Sequence, residues 1–170
     1  MAIRKIVFYP DPVLKQPTEA VTEFDPELHT LLDDMHATMI AAVGIGLAAP
    51  QIGISRRVAV VDVSEEQNSP LELINPTIVS RTGSVTSEEG CLSIPHFRDT
   101  IKRSEKVVVK AQNRSGEWFE VGGEGILSMC LQHEIDHLDG VLFVDHLSRI
   151  KREMFRRWLK KQGEQLTAEE

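Results

Sequence analysis

Cysteine is scarce in this chain, with only Cys91 and Cys130 among 170 residues. That is too few for the disulfide scaffold of a small secreted protein and ordinary for a reduced compartment, so each thiol is free for metal or catalytic work. No run of about eighteen apolar residues occurs, which excludes a classical spanning helix and any membrane partner that would need one. The opening "MAIRKIVFYPDPVLKQP" lacks both the apolar centre of a signal peptide and the Arg/Ser bias of a transit peptide, so the expected location is cytoplasmic. Internal repeats, low-complexity tracts and linkers are also missing. With 41% hydrophobic residues the whole chain, 1–170, is expected to form a single domain around one core.

Charge is unevenly spread. The formal net charge is −7, yet residues 149–161 carry seven bases against one acid, Glu153, a net of +6 that leaves −13 for the remainder. This basic segment reads as a C-terminal helix over about 148–161, with Ile150, Met154, Phe155, Trp158 and Leu159 on one face. Its outer face is either a solvated charged surface or an electrostatic contact for nucleic acid.

The stretch "FDPELHTLLDDMHATMIAAVG" predicts an amphipathic N-terminal helix with Asp25 as N-cap, Pro26 at its first position and Gly44 as terminator. Leu28, Leu31, Leu32, Met35, Met39 and Val43 recur at spacings of three and four and are expected in the core. A glycine-rich loop, "GIGLAAPQIG", follows. From Arg57 to Val121 short β-branched runs alternate with turn residues: "RVAVVDV", "LELINPTIVS", "SVTSEEGC", "KVVVKAQN" and "EWFEV". The turn signals "SRTGS" and "NRSGE" and the lack of a crossover helix make these strands mostly antiparallel. Helical spacing returns in "GEGILSMCLQHEIDHLDG" and ends at Gly140. The expected class is α+β, with mostly antiparallel strands packed around a central HExxH helix, between an N-terminal and a C-terminal helix.

That central helix carries the chemistry. His133 and His137 stand four residues apart, on one helical face and about 6 Å apart along the axis, so two imidazoles can share one metal ion. Glu134 lies beside them, where it can act on water without being a ligand. A plain helix with two histidines would have to bury this polar face without partners, at a cost.

The third ligand decides the chemistry. A metzincin needs a histidine six residues past His137, but that position is Phe143, and His146 comes three residues late. A gluzincin would use a downstream glutamate; Glu153 is the nearest, set among bases, and would make the protein a zinc endopeptidase. Cys130 shares the helical face, but a short side chain leaning toward the N-terminus falls short of the histidines, so it reads as a small hydrophobe lining a neighbouring pocket. Cys91, in "SEEGCLSIP", follows a strand end where Gly90 frees the backbone and Pro95 stops the strand, and from such a loop it could swing onto the histidine pair. Spacing leaves Cys91 and Glu153 both open.

Taken together and in order, "GIGLAAPQIG", "EGCLSIP" and "QHEIDHLDG" closely resemble the three motifs of bacterial-type peptide deformylases, over nearly the whole chain. The resemblance implies that Cys91, His133 and His137 bind the metal, that Glu134 is the general acid/base, and that Gln51 and the Leu92 backbone N–H are oxyanion donors. It places Arg98 where an arginine can meet the peptide backbone, and Ile126, Met129 and Cys130 around an apolar pocket for a methionine side chain. It implies Fe(2+) as the ion, with zinc, nickel or cobalt able to substitute, and N-formyl-methionyl nascent peptides as substrates. The natural partner of the basic C-terminal helix would then be the ribosome.

Formyl removal is amide hydrolysis, and it needs an activated water, a polarised carbonyl and a proton for the leaving nitrogen. Three protein ligands leave a metal one open position, and a divalent ion lowers the pKa of water from about 15.7 to about 7. Thiolate donates more electron density than the carboxylate that is a protease's third ligand, and it suits Fe(II). Two rival readings fit less well. Gly44, Gly46 and Ala49 satisfy a dinucleotide-binding pattern, but they follow a helix and run into Pro50, the reverse of the required context. These glycines better serve close approach of an extended peptide, with Ile45 and Gly46 edging its pocket. A non-catalytic ribosome-associated module with a vestigial site would not need the intact "HEIDH".

Overall fold

The computed structural model describes residues 2–169, with side chains through residue 162. Among the described residues seven strands form two antiparallel sheets. In the larger, β1 (Gly46–Ala48), β2 (Val58–Val61), β3 (Leu71–Thr82), β6 (Lys106–Gln112) and β7 (Trp118–Glu124) lie in the order β1-β2-β3-β6-β7. In the smaller, β4 (Val85–Cys91) pairs with β5 (Ile94–Arg103). Three α-helices, α1 (Pro26–Ala41), α2 (Ile126–Leu138) and α3 (Arg149–Glu169), complete an α+β fold.

The run "VAVV" of β2 is buried at every position because it has a helix on each side. Val58 and Val60 pack with Leu28, Leu32, Met35 and Met39 of α1. Val61 packs with Leu131 and Ile135 of α2, and Ala59 with Leu138. Strand alternation sends successive residues to opposite faces, so one short strand serves two cores. A third cluster joins Leu14, Ile94, Ile101 and Phe143 to Phe155 of α3.

Asp25 caps α1 as expected, its side chain accepting from Leu28 N at 3.0 Å. The end of that helix differs from the expectation. Val43, not Gly44, takes the left-handed conformation (φ 58°), while Gly44 N donates back to Met39 O at 2.9 Å. This closing geometry turns Val43 outward, so it is 90% exposed rather than core. The expected glycine-rich loop is instead β1 followed by a 3-10 turn, Ala49–Ile52, with Pro50 in its first positions, where a missing N–H costs nothing.

β5 was not anticipated, because Pro95 reads as a strand breaker. The ladder accommodates it in a bulge: Gly90 pairs with Arg98 but Cys91 with Ile94, leaving Pro95, His96 and Phe97 outside the register. "NRSGE" does close the β6–β7 hairpin, with Gly116 at φ 86°. "SRTGS", by contrast, carries the chain from the larger sheet into the smaller one, since β3 pairs with β2 and β6 and not with β4. α3 runs eight residues past the expected end, and of its apolar face Phe155 is buried while Ile150 and Met154 are exposed.

Candidate metal centre

Strand β4 and helix α2 bring Cys91, His133 and His137 together. Cys91 Sγ and one ring nitrogen of each histidine lie within 4.8 Å of one another. His137 Nε2 is 3.4 Å from Cys91 Sγ and 3.2 Å from His133 Nε2. Three lone-pair donors converging in a buried corner repel one another unless a cation sits among them, so this donor set fits a single divalent ion. Of the two candidates that spacing leaves open, Cys91 stands in this group, whereas Glu153 lies on the outer face of α3, beside Arg156 and Arg157, and belongs to no such cluster among the described residues.

Glu89 anchors the site from behind, accepting from His133 Nδ1 at 2.9 Å, which leaves His133 Nε2 as the lone-pair nitrogen facing the cluster. Arg103 grips the same carboxylate through Nε and Nη2, both at 2.8 Å, and reaches Asp136 at 2.6 Å. Asp136 in turn pairs with His146 at 2.8 Å. Burial pushes the Glu89 carboxyl up, but hydrogen bonds from Arg103 and His133 outweigh it and hold the pKa at about 2. Sequence reading missed Glu89, Arg103 and Asp136. The signal for Glu89 was its place two residues before Cys91 in one strand, hence on the same face, together with the demand of a ligating histidine for a second partner.

Glu134 is buried beside the donor set, and its Oε1 has no hydrogen-bond partner. Burial, with the Glu89 charge adding to it against the opposing pull of His133, pushes its pKa up to about 7. A carboxylate balanced near neutrality can both take and return a proton. His137 Nδ1 is likewise buried without a partner. Burial, then the Glu134 and Glu89 charges, holds the Cys130 thiol well above its ordinary value, so this cysteine stays protonated.

Gln51 sits in the 3-10 turn after β1. Its Oε1 accepts from Ala48 N at 3.0 Å, which turns Nε2 toward Ser93 Oγ at 3.3 Å and Cys91 Sγ at 3.5 Å. An amide donor is thereby fixed beside the thiol. Gly46 passes so close that a Cβ would collide with the Glu134 carboxylate and stand 2.9 Å from Cys130 Sγ. The far edge of β1 is unpaired among the described residues and borders a cleft of ≈ 770 Å³. Eleven of the twelve residues singled out from sequence line this cleft: Gln51, Cys91, Leu92, His133, Glu134, Ile45, Gly46, Arg98, Ile126, Met129 and Cys130. The twelfth, His137, is buried behind them. Arg98 leans over Gly90 and pairs with Glu88 at 3.4 Å.

An α+β frame that gathers one thiol, two imidazoles and a buried carboxylate at the end of a cleft defines a metal-dependent hydrolase. Residues 3–153 match the family model described as polypeptide deformylase. A peptide deformylase of Acidobacterium capsulatum is 56% identical over 95% of this chain and 96% of that protein. Among solved structures, a peptide deformylase from Legionella pneumophila is 51% identical with a TM-score of 0.91, covering 99% of each chain. One from Synechococcus elongatus, in complex with actinonin, is 40% identical with a TM-score of 0.88, covering 94% of this chain and 88% of that one. The chain belongs to the polypeptide deformylase family, metal-dependent hydrolases that remove N-formyl groups. No helix among the described residues is long and apolar enough to cross a membrane.

Proposed function

We propose that the chain, as one catalytic domain in the cytoplasm, removes formyl from N-formyl-methionine at the start of nascent polypeptides and releases formate. The observation that carries this reading is the approach of Cys91, His133 and His137 to within 4.8 Å beside Glu134 in an open cleft. These three residues would hold one divalent ion. When bound, such an ion polarises a carbonyl and acidifies water. The thiolate ligand favours Fe(2+), with zinc, nickel or cobalt as substitutes.

The chain's own residues do the rest. An extended peptide lies along the free edge of β1, where Ile45 and Gly46 edge the pocket and Gly46 lacks the Cβ that would block Glu134. Ile126, Met129 and Cys130 enclose the methionine side chain, and Arg98 meets the peptide backbone. Glu134 takes a proton from the attacking water and returns it to the departing nitrogen. Gln51 Nε2 and the Leu92 N–H donate to the former formyl oxygen as it gains charge, each worth about 3 to 4 kcal/mol of transition-state stabilisation. Helix α2 is central in this reading, since it carries both histidines, the acid/base and part of the pocket.

Formate release from formyl-Met-Ala-Ser by anaerobically prepared, iron-loaded protein tests the assignment, and no release would sink it. Comparing iron- with zinc-loaded protein tests the ion. The exposed bases of α3, Arg152, Arg156, Arg157, Lys160 and Lys161, further suggest contact with ribosomal RNA. Exchanging Arg152, Arg156, Arg157, Lys160 and Lys161 for glutamine, with Lys151 left in its pairing with Asp99, should then weaken salt-dependent ribosome binding and spare hydrolysis of the free peptide; unchanged binding would end that idea.

A further inference from the structure

Helix α3 reaches the cleft through an aromatic stack that the reaction chemistry does not require. Phe97, which lines the cleft, lies 4.7 Å from Phe155 and 5.2 Å from Trp158 between ring centroids. Its other neighbour is Phe143, at 6.1 Å and 27°, and Phe143 itself stacks on His133 at 6.1 Å and 25°. The stack therefore runs from the C-terminal helix, along one wall of the cleft, to a ring of the metal centre.

Phe97 needs this support. It belongs to the three residues, Pro95 to Phe97, that the β4–β5 ladder leaves unpaired, and His96 beside it holds a positive φ of 69°. A two-stranded sheet with a bulge has little stiffness of its own. What fixes the bulge is α3: Phe155 and Trp158 against Phe97, and Lys151 Nζ on Asp99 Oδ1 at 3.0 Å and Thr100 Oγ1 at 2.7 Å. Phe155 is 4% exposed and also meets Tyr9 edge-on at 5.5 Å, so the helix is locked to the body at this point.

We propose that Phe155 and Trp158 are positioning residues for peptide binding: through Phe97 they set the β5 wall of the cleft, so that α3 and the bound peptide sense each other. The proposal rests on the deformylation reading of the cleft. It concerns affinity for the peptide and leaves the chemistry at Glu134 untouched.

Two measurements on metal-loaded full-length protein test it. In the first, Trp158→Ala should raise KM for formyl-Met-Ala-Ser roughly threefold to tenfold, with kcat within about twofold and metal content unchanged, and Trp158→Phe should restore KM. In the second, Trp118→Phe leaves Trp158 as the only tryptophan, because the chain has two and Trp118 lies on β7 under Lys110, away from the stack. Combined with Glu134→Gln to prevent turnover, that protein should show a saturable change in Trp158 emission as formyl-Met-Ala-Ser is added. An unchanged KM in Trp158→Ala, or an emission that ignores the peptide, overturns the proposal while the wild-type protein still releases formate. If wild type releases none, the deformylation reading has failed and the proposal falls with it.

Discussion

His133 Nδ1 lies 2.9 Å from Glu89 Oε1, and the same carboxylate takes two hydrogen bonds from Arg103. An acceptor-only group behind the imidazole fixes its tautomer and turns Nε2 toward Cys91 and His137. Glu89→Gln keeps one oxygen acceptor but can no longer neutralise Arg103, and the amide can turn its donor toward the ring. Metal affinity should fall roughly 10- to 100-fold, measured by competition with a chelator. Glu88→Gln, one residue away and exposed, serves as the control and should bind metal normally. Equal affinities in the two variants would contradict the role of Glu89.

The same carboxylate predicts an acid-labile fold. Its pKa in the folded protein is about 2, against an ordinary 4.5. A depressed folded value means that the group stabilises fully above about pH 4.5 and that this contribution disappears as pH falls toward about 2, a loss on the order of 3 kcal/mol. Urea midpoints at pH 6 and pH 3 should differ in wild type, and the difference should shrink in Glu89→Gln. An identical pH dependence in both proteins would show that Glu89 does not contribute it.

The parts of this site that sequence reveals are those set by local geometry. His133, Glu134 and His137 share a helical face by periodicity alone, and the Asp25 cap and the buried face of α1 follow from equally short-range rules. Cys91 lies 42 residues before His133, and its approach depends on a β4–β5 ladder that Pro95, read from sequence, would interrupt. Only the motif resemblance joined it to the helix. Arg103 is less legible still: it enters as an exposed-looking base in "TIKRSEK" and becomes buried because two acids, Glu89 and Asp136, converge on it from different elements. Val43 fails for the opposite reason. Helical spacing predicts burial, but the helix closes before reaching it, and the left-handed turn rotates the side chain into solvent.

Gly46 offers a test of close approach without backbone strain. It lies in β1, paired with Val61, in ordinary extended conformation, so alanine is compatible with its backbone. The added methyl would meet the Glu134 carboxylate and Cys130 Sγ. Gly46→Ala should therefore retain metal and cooperative unfolding but lose about 100-fold in kcat/KM, as expected for a displaced catalytic group. Activity within twofold of wild type would mean that Glu134 has freedom to move aside.

Separate replacement of Cys91 and Glu153 by alanine distinguishes the thiolate site from an endopeptidase site. Cys91→Ala removes one of three converging donors and should release the ion on desalting. Glu153→Ala should leave metal content and peptide hydrolysis unchanged, because Glu153 only pairs with Arg156 and Arg157 on an exposed helical face. Metal loss in Glu153→Ala would reverse the assignment of the third ligand.

Glu134→Gln separates proton transfer from metal binding. Glutamine fills the same buried volume, and since Glu134 is not among the clustered donors, the ion should be retained. What disappears is a group held near pH 7 by burial, able to accept a proton from water and return it to nitrogen. The expected loss in kcat is roughly 10²- to 10⁴-fold, with KM little changed and metal stoichiometry equal to wild type. If the variant kept wild-type turnover, the proton would have to travel by another group. No other described carboxylate lines the cleft unpaired, since Glu89 is committed to Arg103 and His133 and Glu88 faces Arg98.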